Sequence, residues 1–177
     1  MNLRQLSVIT ACALSCGGVL AMGDAEYKAS RDRVDAEYKT QSAGCDKLSG
    51  NAKDVCMAEA KGHRNVARAE LEASHKDTPK ARAKVVEEKA DADYNVAKEK
   101  CDDLAGNAKD TCVADAKAQH DKAKATATEQ RKVSEARSDA RADARDAEYK
   151  AAKERCDTYS GDAKDKCVAD LKARYGK

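Results

Sequence analysis

Apolar residues fall in narrow stripes along this chain, separated by lysine, arginine, aspartate and glutamate. Tyr94, Ala97, Cys101 and Leu104 stand at i, i+3, i+7 and i+10, on one side of a helix. Tyr149, Ala152, Cys156 and Tyr159 repeat that spacing, and the stretch from Tyr38 to Cys45 gives a weaker version with Gln41 in place of the alanine. Charged residues fill the positions between, so each helix is expected to offer one thin apolar seam. β-Branched and aromatic residues never alternate over a useful window, and no strands are expected.

The stripes belong to a repeated cassette. It reads DAEYKTQSAGCDKLSGNAKDVC at 35–56, DADYNVAKEKCDDLAGNAKDTC at 91–112 and DAEYKAAKERCDTYSGDAKDKC at 146–167. Its first cysteine recurs at Cys45, Cys101 and Cys156, 56 and then 55 residues apart, a period that marks a repeated supersecondary unit. A truncated copy, DAEYKASRDRV at 24–34, has Val34 where the others have cysteine.

Punctuation falls at one place in every cassette. Gly50, Gly106 and Gly161 each read as a helix-ending glycine, followed by Asn51, Asn107 or Asp162 as an N-cap. Asp54, Asp110 and Asp165 then fall in the first turn of the next helix, where its dipole favours acid. Each site is expected to be the bend of an αα-hairpin. Thr78 and Pro79 add another break, with one helix stopping near Lys76 and the next starting at Pro79. Between Asn107 and Tyr159 nothing comparable occurs, so one helix of about fifty residues fits, with Ser134 and Ser138 as candidate interruptions.

The expected fold is therefore all-α: an elongated repeat of helical hairpins, each clamped by one disulfide across a glycine turn, with little compact core. The segments are 24–78, 79–138 and 139–177. Composition supports a thin core. From Asp24 onward there are four Leu, nine Val, six Tyr, one Met and 33 Ala, with no Ile, Phe or Trp. A globule of this size buries many more large side chains.

Charge removes two classes of function. Thirty-four Lys and Arg against 32 Asp and Glu leave no basic footprint for nucleic acid and no acidic solvating tail. Residues 1–23 read as a signal peptide: Arg4 supplies the positive start, and Leu6 to Leu20 is too short for a membrane span of about 20 residues. Cleavage is expected after Ala21 or Gly23, leaving no transmembrane span. Cys16, followed by Gly17 and Gly18, offers a competing lipid-anchor position on a membrane facing the periplasm; at Cys12 the apolar core would be too short.

Six cysteines then remain, with 15 conceivable pairings. Partners 11 residues apart on an unbroken helix would lie about 16 Å apart, against the roughly 4.4–6.8 Å that a disulfide needs between Cα atoms. A bend at Gly50, Gly106 or Gly161 removes that obstacle, so Cys45–Cys56, Cys101–Cys112 and Cys156–Cys167 are the expected links. Each closes a loop worth on the order of 3 kcal/mol in chain entropy. Redox catalysis fits poorly, because it uses closer pairs such as C-x-x-C. His63, His75 and His120 share no cassette position and no zinc-type spacing, so no metal ligands or cofactor are assigned. Carboxylates are evenly mixed with basic residues as on solvated helix faces, and no catalytic constellation stands out.

The segment Ala114–Ala144, rich in Ala, Lys and acidic residues, resembles the helical stalk of TolA-type envelope proteins, which implies a rod connecting envelope layers. Asp24, Asp35 and Asp46, spaced by 11, resemble the helical repeats of late-embryogenesis-abundant proteins, which implies stress protection. As a whole the chain resembles small exported Ala/Lys-rich Cys-repeat proteins of Gram-negative bacteria. The expected function is that of a non-enzymatic periplasmic structural or adaptor protein, binding envelope proteins or itself through its helices. Stress protection, as holdase or desiccation protectant, is the alternative, and metal or redox handling the third reading.

Overall fold

Each cassette folds as two helices around a bend. A computed structural model describes residues Met22–Lys177, of which 88% are helical. The elements are α1 (Asp24–Cys45), α2 (Gly50–Lys76), α3 (Pro79–Cys101), α4 (Gly106–Cys156) and α5 (Asp162–Tyr175), with no strand among the described residues. The expected signal peptide at 1–23, with Cys12 and Cys16, lies outside the described residues apart from Met22 and Gly23. No described helix is long and apolar enough to cross a membrane.

The helices form a chain of neighbours. α1 packs on α2, α2 on α3, α3 on α4 and α4 on α5, and no other pair touches. Because α1 and α4 do not meet, the first four helices make an open layer rather than a closed bundle. The buried residues of the five helices are alanines, Ala60 and Ala69 on α2, Ala81, Ala83 and Ala90 on α3, Ala127 and Ala152 on α4, together with Gly62 and with Cys45, Cys101 and Cys156. Such small residues bring backbones close. A Cβ added at Gly62 on α2 would lie 2.8 Å from the Cβ of Ala92 on α3. A buried methyl contributes only about 0.8 kcal/mol, so a core of alanine leaves much of the hairpins' stability to their cross-links.

α4 is one unbroken helix of 51 residues, about 77 Å long, and runs through Ser134 and Ser138. The segment boundary at 138/139 therefore falls inside a continuous helix. The first half of α4 lies along α3 and its last turns along α5, while every residue from Ala136 to Glu148 is exposed. A helix that is polar all round is the form expected of a solvent-bridging element.

The punctuation between α2 and α3 follows the sequence expectation. α2 ends at Lys76, and the Thr78 hydroxyl accepts a hydrogen bond from Ala81 N at 3.1 Å ahead of Pro79. The bends differ from expectation in two respects. The first helix of each hairpin stops at its cysteine, five residues before the glycine, which puts Leu104 and Tyr159 in the bend and on the surface instead of on the seam. N-cap positions fall on Ser49, Ala105 and Gly161, without a side-chain capping bond, rather than on Asn51, Asn107 and Asp162. Asp54 and Asp110 are accordingly displaced beyond the first turn, where Asp165 remains.

Candidate functional site

The recurring chemistry lies at the three bends and on the hairpin stems below them. In each bend the first cysteine is the last residue of its helix and fully buried, and the second sits in the second turn of the next helix. Cα atoms are 5.6 Å apart in Cys45–Cys56 and 5.7 Å apart in both Cys101–Cys112 and Cys156–Cys167, and all three pairs are disulfides. The glycines stand at the far side of the bend with φ of 56° at Gly50, 55° at Gly106 and 58° at Gly161. An added Cβ would meet nothing within 4 Å there, so glycine serves the left-handed backbone and not a lack of space.

An ion pair crosses every bend, and sequence reasoning missed it. Asp46 bonds Lys53 at 3.0 Å, Asp102 bonds Lys109 at 2.9 Å and Asp157 bonds Lys164 at 2.8 Å. The lysine hydrogen bond holds the carboxyls of Asp102 and Asp157 below the usual carboxylate range. The legible signal was a common spacing of seven residues in all three cassettes. Each bend also exposes one apolar side chain at the same position: Leu48, Leu104 and Tyr159, at 45%, 44% and 55% exposure.

On the stems, the tyrosine seven residues before the first cysteine faces the residue eight after the second. Tyr38 carries the Arg64 guanidinium 4.2 Å from its ring centroid, Tyr94 meets His120 at 5.0 Å, and Tyr149 meets Tyr175 edge-on at 5.7 Å. The truncated copy continues this pattern. Tyr27 lies eleven residues before Tyr38, His75 eleven after Arg64, and the two rings stack at 4.5 Å. The copy without a cysteine is thus a second tier of the first hairpin, farther from the bend.

The aspartate three residues before each tyrosine reaches a cation on the facing helix. Asp24 lies 3.3 Å from His75 Nε2, Asp35 binds Arg68 at 2.5 Å, and Asp146 binds Lys177 at 2.7 Å. Asp91 takes both His120 Nε2 at 2.6 Å and Lys124 at 3.1 Å. Burial opposes ionisation of Asp91, but the hydrogen bonds from His120 and Lys124 outweigh it and lower its pKa. Asp91 first, and then Asp121, raise that of His120 against its partial burial. Asp35 is lowered chiefly by its bond from Arg68, helped by the charges of Arg64 and Arg31. Asp-x-x-Tyr is therefore a joining unit, a carboxylate and a ring presented together to the opposite helix.

These groups hold helices in register. His63, by contrast, is exposed on the α2/α3 face beside Val96 and Ala97. Among the described residues no group of three or more His, Cys, Asp or Glu side chains is placed to hold a metal ion. Compared with family models, curated proteins and solved structures, the chain matches none of them significantly.

Proposed function

We propose that this chain is exported and works in the periplasm as a non-enzymatic structural or adaptor protein of the cell envelope. The observation that carries this reading is the distribution of its clamped bends. Two disulfide-stapled bends stand at one end of the antiparallel layer α1–α4, and the third lies at the far end of α4, about 77 Å away. Such a rod with stapled ends suits holding two parties apart or together. Three cross-links in a chain of small core residues also fit an oxidising compartment, where disulfides persist.

The N-terminal contacts favour a mature chain that begins at Met22. His75 Nδ1 lies 2.7 Å from the Met22 carbonyl, and Met22 N donates to Ser74 O at 3.4 Å. Cleavage after Ala21 keeps both bonds and sets the new amino group beside the C-terminal carbonyls of α2, where the helix dipole favours a cation. Cleavage after Gly23 loses them.

The test is affinity capture from envelope extract with the oxidised chain, alongside its mass in solution. Recovery of a discrete envelope partner, or of further copies of itself, supports the reading. A strictly monomeric chain that captures nothing contradicts it.

A further inference from the structure

Elsewhere on these helices, opposite charges sit one turn apart. Lys76 pairs with Glu72, Lys84 with Glu88, Lys117 with Asp121 and Arg131 with Glu135, all at i,i+4. The bare stretch of α4 reverses that rule. Arg137, Arg141 and Arg145 follow one another at four-residue steps, and so do Asp139 and Asp143. Like charges at this spacing repel along a helix. None of the five enters an ion pair among the described residues. At about 100° per residue, the arginines gather on one side of α4 and the two aspartates about 180° away.

The packing says which side is which. Ala127, buried where α4 meets α3, and Ala152, buried where α4 meets α5, are 25 residues apart. That separation brings them within about 20° of one another around the helix, so α3 and α5 lie on the same side of α4. Arg145 falls in line with Ala127, and Arg141 within about 40° of it. Arg141 and Arg145 therefore look out through the opening between Pro79, where α3 starts, and Tyr175, where α5 ends, with Arg137 about 80° round from Ala127 at its edge. Along α4 the exposed stretch Ala136–Glu148 measures about 20 Å, and a helix with its side chains is about 10–12 Å across. The aspartates face the other way, where none of the described elements packs.

We propose that a second copy of this chain docks here, the aspartate side of one α4 seating in the arginine-floored opening of another. Both halves of the charge match are carried on one helix, and among the described residues neither finds an opposite charge; Arg145 donates only to the Arg174 carbonyl at the end of α5, at 3.5 Å. The contact joins a front to a back, so it propagates into open chains unless its rotation closes a ring. It gives the adaptor reading a specific partner and rests on that reading only for its setting.

Sedimentation velocity on the oxidised chain, at rising protein concentration and in low and high salt, tests it. The expected result is a mass that grows with concentration and falls back toward monomer as salt screens the charges. The variants R137E/R141E/R145E and D139R/D143R should each stay monomeric with unchanged helicity, because each carries one sign on both sides. Mixing the two should restore association. A wild type that stays monomeric overturns the proposal, as does association that survives either variant. An envelope partner bound by a monomeric wild type would overturn self-docking and leave the adaptor reading standing.

Discussion

His120 on α4 and Asp91 on α3 are joined Nε2 to Oδ1 at 2.6 Å, with Tyr94 against the imidazole. One hairpin earlier, His75, Asp24 and Tyr27 form the same trio, with 3.3 Å between Nε2 and Oδ1. Two hairpins thus close their stems with one arrangement, built from residues about thirty or fifty positions apart in the chain.

The trio at His120 gives α3/α4 a dependence on pH. His120 is raised above 6.5 by Asp91 and Asp121, so its contribution is fully present below pH 6.5 and is lost as pH climbs through the raised value. Asp91 is lowered below 3.8, and its contribution is present above pH 3.8 and lost as pH falls through the lowered value. Two other charged groups face this pair: Lys124, 3.1 Å from Asp91, and Asp121, whose carboxyl is held below its usual range by hydrogen bonds from Lys117 and then His120. Thermal unfolding of wild type and H120Q across pH should therefore differ most between pH 3.8 and 6.5 and converge in alkaline solution. A difference that is flat across this range would contradict the assignment.

Gly62 sets the approach of α2 to α3. Alanine favours a helix over glycine by about 1 kcal/mol, but its Cβ would come within 2.8 Å of the Ala92 Cβ. Overpacking of this kind costs about 1–3 kcal/mol, so Gly62→Ala is expected to lower stability overall. Adding Ala92→Gly should recover part of the loss in denaturant titration. Stabilisation by Gly62→Ala alone would show that the two helices separate freely.

Reduction should act unevenly. α5 touches only α4 and buries no residue fully, so Cys156–Cys167 is its main tether, beside exposed ion pairs and the Tyr149–Tyr175 contact. α2 and α3 keep their alanine interface without any disulfide between them. Hydrogen exchange is expected to show Asp162–Tyr175 losing protection first when reductant is added, with Ala60–Ala69 and Ala81–Ala90 protected longest. Removing that link by Cys156→Ser with Cys167→Ser should destabilise the last hairpin by about 3 kcal/mol. Uniform loss of protection along the chain would refute this ordering.

How far such elements could be read beforehand depended on whether their cause was local. Thr78 and Pro79 act on their own backbone, and the α2/α3 break stands where they place it. Cysteines 11 apart around a glycine carry a distance constraint, which is also local. Helix ends were harder, because periodicity does not report where a helix stops. The stripe through Leu104 and Tyr159 runs on past Cys101 and Cys156, where the backbone has already left the helix. The continuity of α4 through Ser134 and Ser138 stayed open because serine in a helix costs only a few tenths of a kcal/mol. The Asp-x-x-Tyr trios were hidden for another reason: their partners lie on the facing helix, in a register set by the bend and its disulfide.

Gly161 combines φ 58° with ψ −144°, a region open essentially to glycine. Gly161→Ala should cost about 1–3 kcal/mol through the backbone alone, read as a lower thermal midpoint for α5. An alanine variant as stable as wild type would mean that this bend takes another conformation.

Non-reducing peptide mapping of protein taken from the envelope tests whether the chain is exported with each hairpin stapled across its own bend. Three intramolecular links, Cys45–Cys56, Cys101–Cys112 and Cys156–Cys167, are expected, in a chain beginning at Met22. Free thiols, links between different hairpins or links between chains would contradict this arrangement.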